Sequence, residues 1–291
     1  MNIGIIGAGS IGILMAAYLG RDHKVDVYVR REEQKDKLNK LGVSCDAIDQ
    51  PVSIQAHLLE QHNLGAHDLL IVTVKQNHIA SILEKKLPDY TPLLFLQNGM
   101  GHVDQLLDHP NPVLVGVVEH GALKQNDNQV LHTGQGSVKI ASVNSEDNLK
   151  AIINELNRKD FPFFYHTNYY EMLTSKLIVN AVINPLTGLF QVKNGMIVSN
   201  PHIKQIAKQV CREACQSLER SFEIDWKRVL TIAEATSENQ SSMFKDLLEG
   251  KETEIDAISG YILQKSPVHL PYHEFLVQAI HALEKEREVN L

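Results

Sequence analysis

Residues 173–187 carry Lys176, Asn180 and Asn184 among side chains that are mostly aliphatic. At i, i+4 and i+8 the three share one face of a helix. A solvent-facing helix would show more charge, so the narrow stripe reads as a polar face turned inward. Desolvation there disfavours an ammonium ion and lowers its pKa, which makes the lysine a competent general acid. The two amides could hold a carbonyl or hydroxyl through uncharged hydrogen bonds. The alternative is a lysine that snorkels to water while the asparagines bridge neighbouring helices.

A second polar group follows in Glu238-Asn239-Gln240-Ser241-Ser242-Met243 and Thr253-Glu254-Ile255-Asp256. Thr253 suits an N-cap, and Glu254 and Asp256 suit a first helical turn, where carboxylates complement the dipole. The chemical alternative places Glu254 in a cleft, on the helix face of Ile258 and Tyr261.

Gly7-Ala8-Gly9-Ser10-Ile11-Gly12 follows a short apolar strand and opens an apolar helix. In that setting the three glycines have different work: a tight turn at Gly7, close approach of backbone to a pyrophosphate at Gly9, and helix-on-sheet packing at Gly12. The unpaired N–H groups of the helix start would face the anion. The next strand ends Val29-Arg30-Arg31, where an NAD site would place a carboxylate. Arg30 there is suited to a 2′-phosphate, so NADP(H) is expected over NAD(H); the alternative is a pair of solvated arginines. Lys75 ends a third strand, and Gln97-Asn98-Gly99-Met100-Gly101 follows a fourth. Asn98-Gly99 is either a plain turn or an amide directed at a bound nicotinamide and substrate.

These groups need a frame. Apolar strands at residues 3–6, 25–29, 68–74, 93–96 and 113–118 alternate with helical stretches, which implies βαβ units and a parallel sheet. Residues 130–132 and 137–141 flank Thr133-Gly134-Gln135-Gly136 and suggest a hairpin at the sheet edge. Beyond residue 166 helical periodicity takes over, and Asn200-Pro201 has the form of a helix start. The expected fold is an α/β N-terminal Rossmann domain, residues 1–166, binding NADP, plus an all-α C-terminal domain, residues 167–291, for substrate and catalysis.

The chain has 291 residues and a net charge of −7, a poor match for nucleic-acid binding, which wants a basic stripe. Three cysteines, Cys45, Cys211 and Cys215, fit a reducing compartment without a disulfide framework. Cys211 and Cys215 are one helical turn apart but lack a second ligand pair, so they read as core residues and no metal site is expected. The apolar N-terminal run has no basic residue before it and is broken by glycines, unlike a signal peptide. No stretch is read as a membrane span, and a cytoplasmic protein is expected.

Taken together, the glycine turn, Arg30, Asn98-Gly99-Met100-Gly101, Lys176-x-x-x-Asn180-x-x-x-Asn184-Pro185-Leu186-Thr187, Asn194-Gly195, Glu238-Asn239-x-Ser241-Ser242-Met243 and Thr253-Glu254-Ile255-Asp256 resemble the ketopantoate reductase (2-dehydropantoate 2-reductase) family over almost the whole chain. The resemblance implies NADPH-dependent reduction of 2-dehydropantoate to (R)-pantoate, on the way to pantothenate and coenzyme A. It implies Lys176 as proton donor and Glu254 as a catalytic residue that orients the cofactor side. Cofactor contacts would come from Gly7, Ala8, Gly9, Ser10, Ile11, Gly12, Arg30, Lys75, Asn98, Ala122 and Glu254. Substrate contacts would come from Asn98, Lys176, Asn180, Asn184, Asn194 and Ser242. The chain departs from the family pattern at Val118-Glu119-His120-Gly121, where smaller polar residues are expected and where a carboxylate near phosphates is unfavourable unless it points away. Two other readings stay open: a reductase of another branched 2-oxo acid, and a non-catalytic NADP(H)-sensing protein on the same fold. The helical domain is also where a homodimer contact would form.

Overall fold

The first part of the chain is built of short strands, of which Leu69–Val72, Leu93–Phe95 and Val113–Val118 are buried throughout, as expected where both faces of a sheet are covered. In chain order they are β1 (Asn2–Ile6), β2 (Lys24–Val29), β3 (Ser44–Cys45), β4 (Gln55–Leu58), β5 (Leu69–Val72), β6 (Leu93–Phe95), β7 (Val113–Val118), β8 (Gly121–Lys124), β9 (Gln129–Gly134), β10 (Val138–Ser142) and β11 (Phe163–Tyr165). Between them lie helices α1 (Ser10–Leu19), α2 (Glu32–Leu41), α3 (Ile79–Leu83) and α4 (Leu149–Leu156). The computed structural model describes residues 1–144 and 149–289. By its contacts the chain divides into one unit of Met1–Gln97 with His102–Met172 and a second of Asn98–Gly101 with Leu173–Leu291.

In the first unit eight strands form one sheet in the order β11-β10-β7-β6-β5-β1-β2-β4. From β4 to β7 all neighbours are parallel; β10 is antiparallel to β7, and β11 follows β10. Counted along the chain, the six parallel strands have the doubly wound order 3-2-1-4-5-6, whose direction reverses between β1 and β5. A ligand crevice is expected beyond the carboxyl ends of that pair. Helix α1 is buried from Gly12 through Leu19. It packs on β1 and β2 with one side and meets a separate three-stranded sheet, β3-β9-β8, with the other. Coverage from both sides is why it is apolar all round.

The expected hairpin around Thr133-Gly134-Gln135-Gly136 does not form. The antiparallel partner of β9 is β8, and β10 leaves for the main sheet, where Val138 and Ile140 are fully buried. The open edge of β7 offers β10 both a ladder and a core to fill, and a local turn signal cannot reveal a distant edge. Glu119 N–H donates to the Ser137 carbonyl at 2.8 Å where the two strands meet.

A chain of hydrogen bonds fastens the small sheet to α1. Gly136 N–H donates to His120 Nδ1 at 3.1 Å, so the neutral ring carries its proton on Nε2. His132 Nε2 must then donate to His120 Nδ1, 3.0 Å away, which leaves His132 Nδ1 to accept from the Tyr18 hydroxyl at 2.7 Å. His120 also stacks on Phe161, with ring centroids 4.0 Å apart.

In the second unit the helices are α5 (Tyr169–Phe190), α6 (Met196–Ser199), α7 (Pro201–Ser217), α8 (Phe222–Ala235), α9 (Ser242–Leu248), α10 (Tyr261–Lys265) and α11 (Pro271–Val289). A π-helical turn, Asp256–Gly260, leads into α10. By contacts the division falls at Met172/Leu173, within α5, so that Tyr169–Met172 at the start of the helix group with the sheet unit. Asn200 caps α7 as expected, accepting from the His202 and Ile203 N–H groups ahead of Pro201. Helix α5 is long and apolar enough to cross a membrane by length and composition, contrary to the sequence reading, but most of it is buried inside the protein as a core helix. Cys211 and Cys215 are buried with their sulfurs 4.0 Å apart. The fully buried Asp225 carboxylate is paired with both Arg220, at 3.1 Å, and Arg228, at 2.9 Å.

Burial, aided by neighbouring His132, pushes the His120 pKa down to about 4. A folded-state histidine pKa below the unfolded value stabilises the protein above the unfolded value, and that stability is lost as pH falls from 6.5 towards 4. The loss is on the order of 3 kcal/mol. His120→Asn keeps an acceptor for Gly136 N–H without titrating. Urea unfolding at a series of pH values should show a shallower acid limb for the variant; parallel limbs would show that His120 does not govern it.

Candidate functional site

The carboxyl ends of β1, β2 and β5 open onto a groove of about 470 Å³, lined by Gly7, Ala8, Gly9, Arg30, Arg31, Gln34, Thr73, Lys75, His78 and Lys124 among others. Gly7 adopts φ +103°, and its N–H donates to the Tyr28 carbonyl at 2.9 Å. A side chain on Gly12 would place a Cβ 2.1 Å from the Gly7 carbonyl oxygen and 2.6 Å from Thr73 Oγ1. The Thr73 hydroxyl donates to that same oxygen at 2.9 Å. At Gly9 the space is open. The turn therefore packs tightly against the sheet and leaves its free side uncrowded.

The cations at the rim have different partners. Arg31 is paired with Asp127 at the tip of the β8–β9 hairpin, and Lys124 Nζ lies 3.2 Å from the same carboxylate. These two cations draw the Asp127 carboxyl below its ordinary range despite partial burial. Arg30 instead donates to His78 Nε2 at 3.2 Å and stays exposed. Glu60, also on the wall, is paired with Lys85 at 3.0 Å. Glu119 turns to Ser137, at 2.8 Å, and Lys139, at 2.6 Å.

Of the sequence-expected cofactor residues in this unit, Gly7, Ala8, Gly9, Arg30 and Lys75 line the groove. Ser10 Oγ accepts from the Lys124 N–H at 3.2 Å. Ile11 and Ala122 pack against the apolar core, so Ala122 supports β8, and Lys124, two residues on, reaches the groove. Thr73, Gln34, His78 and Lys124 were not singled out from the sequence. The signal for Thr73 was a lone hydroxyl at the end of an aliphatic strand, and for Gln34 an amide on the apolar side of α2, where it is buried beside Leu38.

The second unit gathers the remaining residues. Helix α5 runs unbroken through Pro185, so Lys176, Asn180 and Asn184 do share a face; Lys176 and Asn180 are half-buried and Asn184 is buried. Asn184 Nδ2 reaches Ser242 Oγ at 3.5 Å. One turn along α5, Thr187 donates to Ser241 Oγ at 2.7 Å, and Ser241 caps α9 by accepting from Phe244 N–H. Asn194 is buried, its Nδ2 donating to Thr236 Oγ1 at 3.0 Å while its Oδ1 has no partner. Asn98 donates through Nδ2 to Glu254 Oε2 at 3.0 Å. Gly99 takes φ +80° where a Cβ would meet the Ala257 carbonyl at 2.3 Å. The turn reading of Asn98-Gly99 therefore holds, since the turn depends on glycine, and the Asn98 amide is engaged by the Glu254 carboxylate. Thr253 Oγ1 accepts from Ile255 N–H at 3.2 Å, a cap on the segment that carries Glu254.

A doubly wound sheet with a glycine-turn groove at its switch point, followed along the chain by a helical unit, defines a two-unit protein built on a Rossmann-type sheet. Comparison with known families narrows the class. The model described as "Ketopantoate reductase PanE/ApbA" matches residues 3–145, and "Ketopantoate reductase PanE/ApbA C terminal" matches residues 168–284. The chain belongs to this family. It is 41% identical to a 2-dehydropantoate 2-reductase of Bacillus subtilis over 98% of each chain, and 36% identical to one of Listeria monocytogenes over 99% of each. The solved structure of the probable Bacillus subtilis 2-dehydropantoate 2-reductase, 40% identical, aligns over 97% of this chain and 100% of its own with a TM-score of 0.87. A D-mandelate dehydrogenase, 21% identical with a TM-score of 0.89 over 99% of each chain, shares the fold alone.

The segment bearing Glu254 is also tied to α11. His281 lies 2.8 Å from Glu284 through Nδ1 and 3.1 Å from Asp256 through Nε2, and Glu284 accepts from Thr253 N–H at 2.8 Å. Burial disfavours the charged ring, but the bonds to Glu284 and Asp256 outweigh it and raise the His281 pKa above its ordinary value. Stability from the protonated ring is thus complete below the unfolded value of 6.5 and lost as pH rises through the raised folded value. The stability gap between wild type and His281→Ala should narrow as pH climbs above 6.5; a gap that stays constant would remove this role.

Proposed function

We propose that the protein catalyses NADPH-dependent reduction of 2-dehydropantoate to (R)-pantoate, a step towards pantothenate and coenzyme A; the substrate is the one in the name of its relatives, 2-dehydropantoate 2-reductase. The observation that carries the reading is the face of α5 on which Lys176, Asn180 and Asn184 stand together, with Asn184 held near Ser242. A purely NADP(H)-sensing protein has no need of that face.

The groove suits a dinucleotide. Its glycine turn is open at Gly9, and its polar rim is rich in cations. Gly7, Ala8 and Gly9 would hold the pyrophosphate, aided by N–H groups at the start of α1. Arg30 and Lys75 would meet the remaining phosphate charge. No carboxylate ends β2, and the wall carboxylate Glu60 is engaged by Lys85, so a 2′-phosphate is favoured over a bare ribose hydroxyl. The first unit is then the cofactor domain and the second the substrate domain. The three thiols, buried and unbridged, suit a reducing compartment, which supports a cytoplasmic reading.

When bound, the reduced nicotinamide supplies hydride to C2 of the 2-oxo acid. Lys176 donates a hydrogen bond and then its proton to the carbonyl oxygen on which negative charge develops, and Asn180 steadies that oxygen. Asn184, Asn194 and Ser242 hold the substrate's carboxylate and hydroxyl groups, the unpartnered Asn194 Oδ1 being ready to accept one. Asn98 holds Glu254, and together they orient the amide side of the cofactor.

Absorbance loss at 340 nm with NADPH and a panel of branched 2-oxo acids tests the substrate. 2-Dehydropantoate should give the highest kcat/KM, and preference for another member would reassign it. Lys176→Ala should lower kcat by about 10²- to 10⁴-fold while NADPH still binds; near-wild-type turnover would take the proton-donor role from Lys176. Arg30→Ala should raise KM for NADPH and leave that for NADH nearly unchanged. An undiminished preference for NADPH in that variant would assign the 2′-phosphate to other residues.

A further inference from the structure

The glycine turn contains one carbonyl, that of Ala8, held by two side-chain donors. Gln34 Nε2 donates to the Ala8 carbonyl oxygen at 3.0 Å, and Lys124 Nζ donates to it at 3.2 Å. Gln34 comes from α2 and is only 6% exposed; Lys124 comes from β8 in the small sheet. The second Nε2 proton of Gln34 goes to the Asp127 carbonyl at 3.0 Å, so one buried amide spans the turn and the hairpin tip. A leucine would fill the same space on α2, and burying an amide costs free energy unless its polar atoms are paired. Packing alone does not account for glutamine there.

We infer that Gln34 and Lys124 are positioning residues that aim the Gly9 N–H at the cofactor's pyrophosphate. A trans peptide is planar, so its C=O and N–H point in opposite directions. Pinning the Ala8 oxygen towards Gln34 and Lys124 sends the Gly9 N–H the other way. Gly9 is the N-cap of α1 and has no side-chain cap, and the first helical bond runs from Ile13 N–H to the Gly9 carbonyl. The N–H groups ahead of it are therefore available to an anion. Without the two donors this peptide could rotate and present its carbonyl dipole to the phosphates, with the opposite sign of interaction. The inference rests on the nicotinamide dinucleotide reading above and deepens it: recognition of the pyrophosphate depends on residues outside the glycine motif.

Calorimetric titration of the full-length protein with NADPH, NADH and 2′-AMP tests this. NADPH and NADH share the pyrophosphate, whereas 2′-AMP carries the 2′-phosphate without it. Gln34→Leu and, independently, Lys124→Met should each raise the dissociation constants of both dinucleotides by a common factor of about ten, the weight of one well-placed hydrogen bond. Binding of 2′-AMP should be unchanged, and Lys124→Arg, which keeps a donor, should restore most of the loss. Equal weakening of all three ligands would mean general damage to the groove, and weakening of NADPH alone would mean a 2′-phosphate contact; either outcome, or no change, overturns the inference. Wild-type protein that binds neither dinucleotide would instead overturn the nicotinamide reading beneath it.

Discussion

The distance between Gly12 and the Gly7 carbonyl is the constraint on which the rest of the first unit depends. A Cβ at residue 12 would stand 2.1 Å from that oxygen, well inside contact distance, and the oxygen is itself held by Thr73 from β5. The start of α1 is thereby drawn onto the junction of β1 and β5, the point where the sheet order reverses. Everything polar in the groove is placed relative to this junction. Thr73 and Lys75 arrive from β5, Arg30 from the end of β2, and Lys124 from a strand outside the main sheet. A side chain at Gly12 would lift α1 from the sheet and disturb all of them together.

The central strands of the main sheet, β1, β2, β5, β6 and β7, were legible because each carries its signal within itself. Residues 3–6 and 113–118 are runs of apolar residues and glycine and residues 25–29 alternate around Asp26, patterns that need no partner strand to be recognised. The strands that escaped notice are β3, β4, β8 and β11, which are short or mixed in polarity. Their pairing is set by distant edges, and the misassigned hairpin fails for that reason. The sequence shows a glycine turn after β9, but only the open edge of β7 decides where β10 goes. Site residues follow the same rule. The glycine turn and the Lys176 stripe are periodic and local, hence visible. Gln34 and Lys124 act on a carbonyl 26 and 116 residues away, and no local pattern marks such a target.

The second unit solves a different problem. It must hold polar side chains in a helical core without leaving them unpaired, since a buried unsatisfied group is costly. Asn184, Thr187, Ser241 and Ser242 answer one another across α5 and α9, and Asn98 answers Glu254. Asn194 keeps one buried oxygen without a protein partner. Ser259 Oγ and His273 Nε2 in the same unit are also buried without a partner, so it is the place of Asn194 beside the Thr236 hydroxyl, not the orphaned atom alone, that suits a ligand group.

Arg30 and Arg31 show why residue type alone does not assign a role. They are neighbours in the chain, and extended backbone sends successive side chains to opposite sides. Arg31 goes to the hairpin tip, where Asp127 neutralises it and where Lys124 shares the carboxylate. Its charge is spent on fastening the hairpin, in whose strand β8 Lys124 sits. Arg30 goes to the switch-point side, where its neighbour is the imidazole of His78, which accepts one hydrogen bond and offers no fixed negative charge. Moving Arg30 from a neutral acceptor to a phosphate dianion gains a charge-assisted bidentate contact at little cost, whereas moving Arg31 would first break an ion pair. On the NADP(H) reading proposed above, the partner, not the position in the motif, makes Arg30 a cation available to an incoming phosphate.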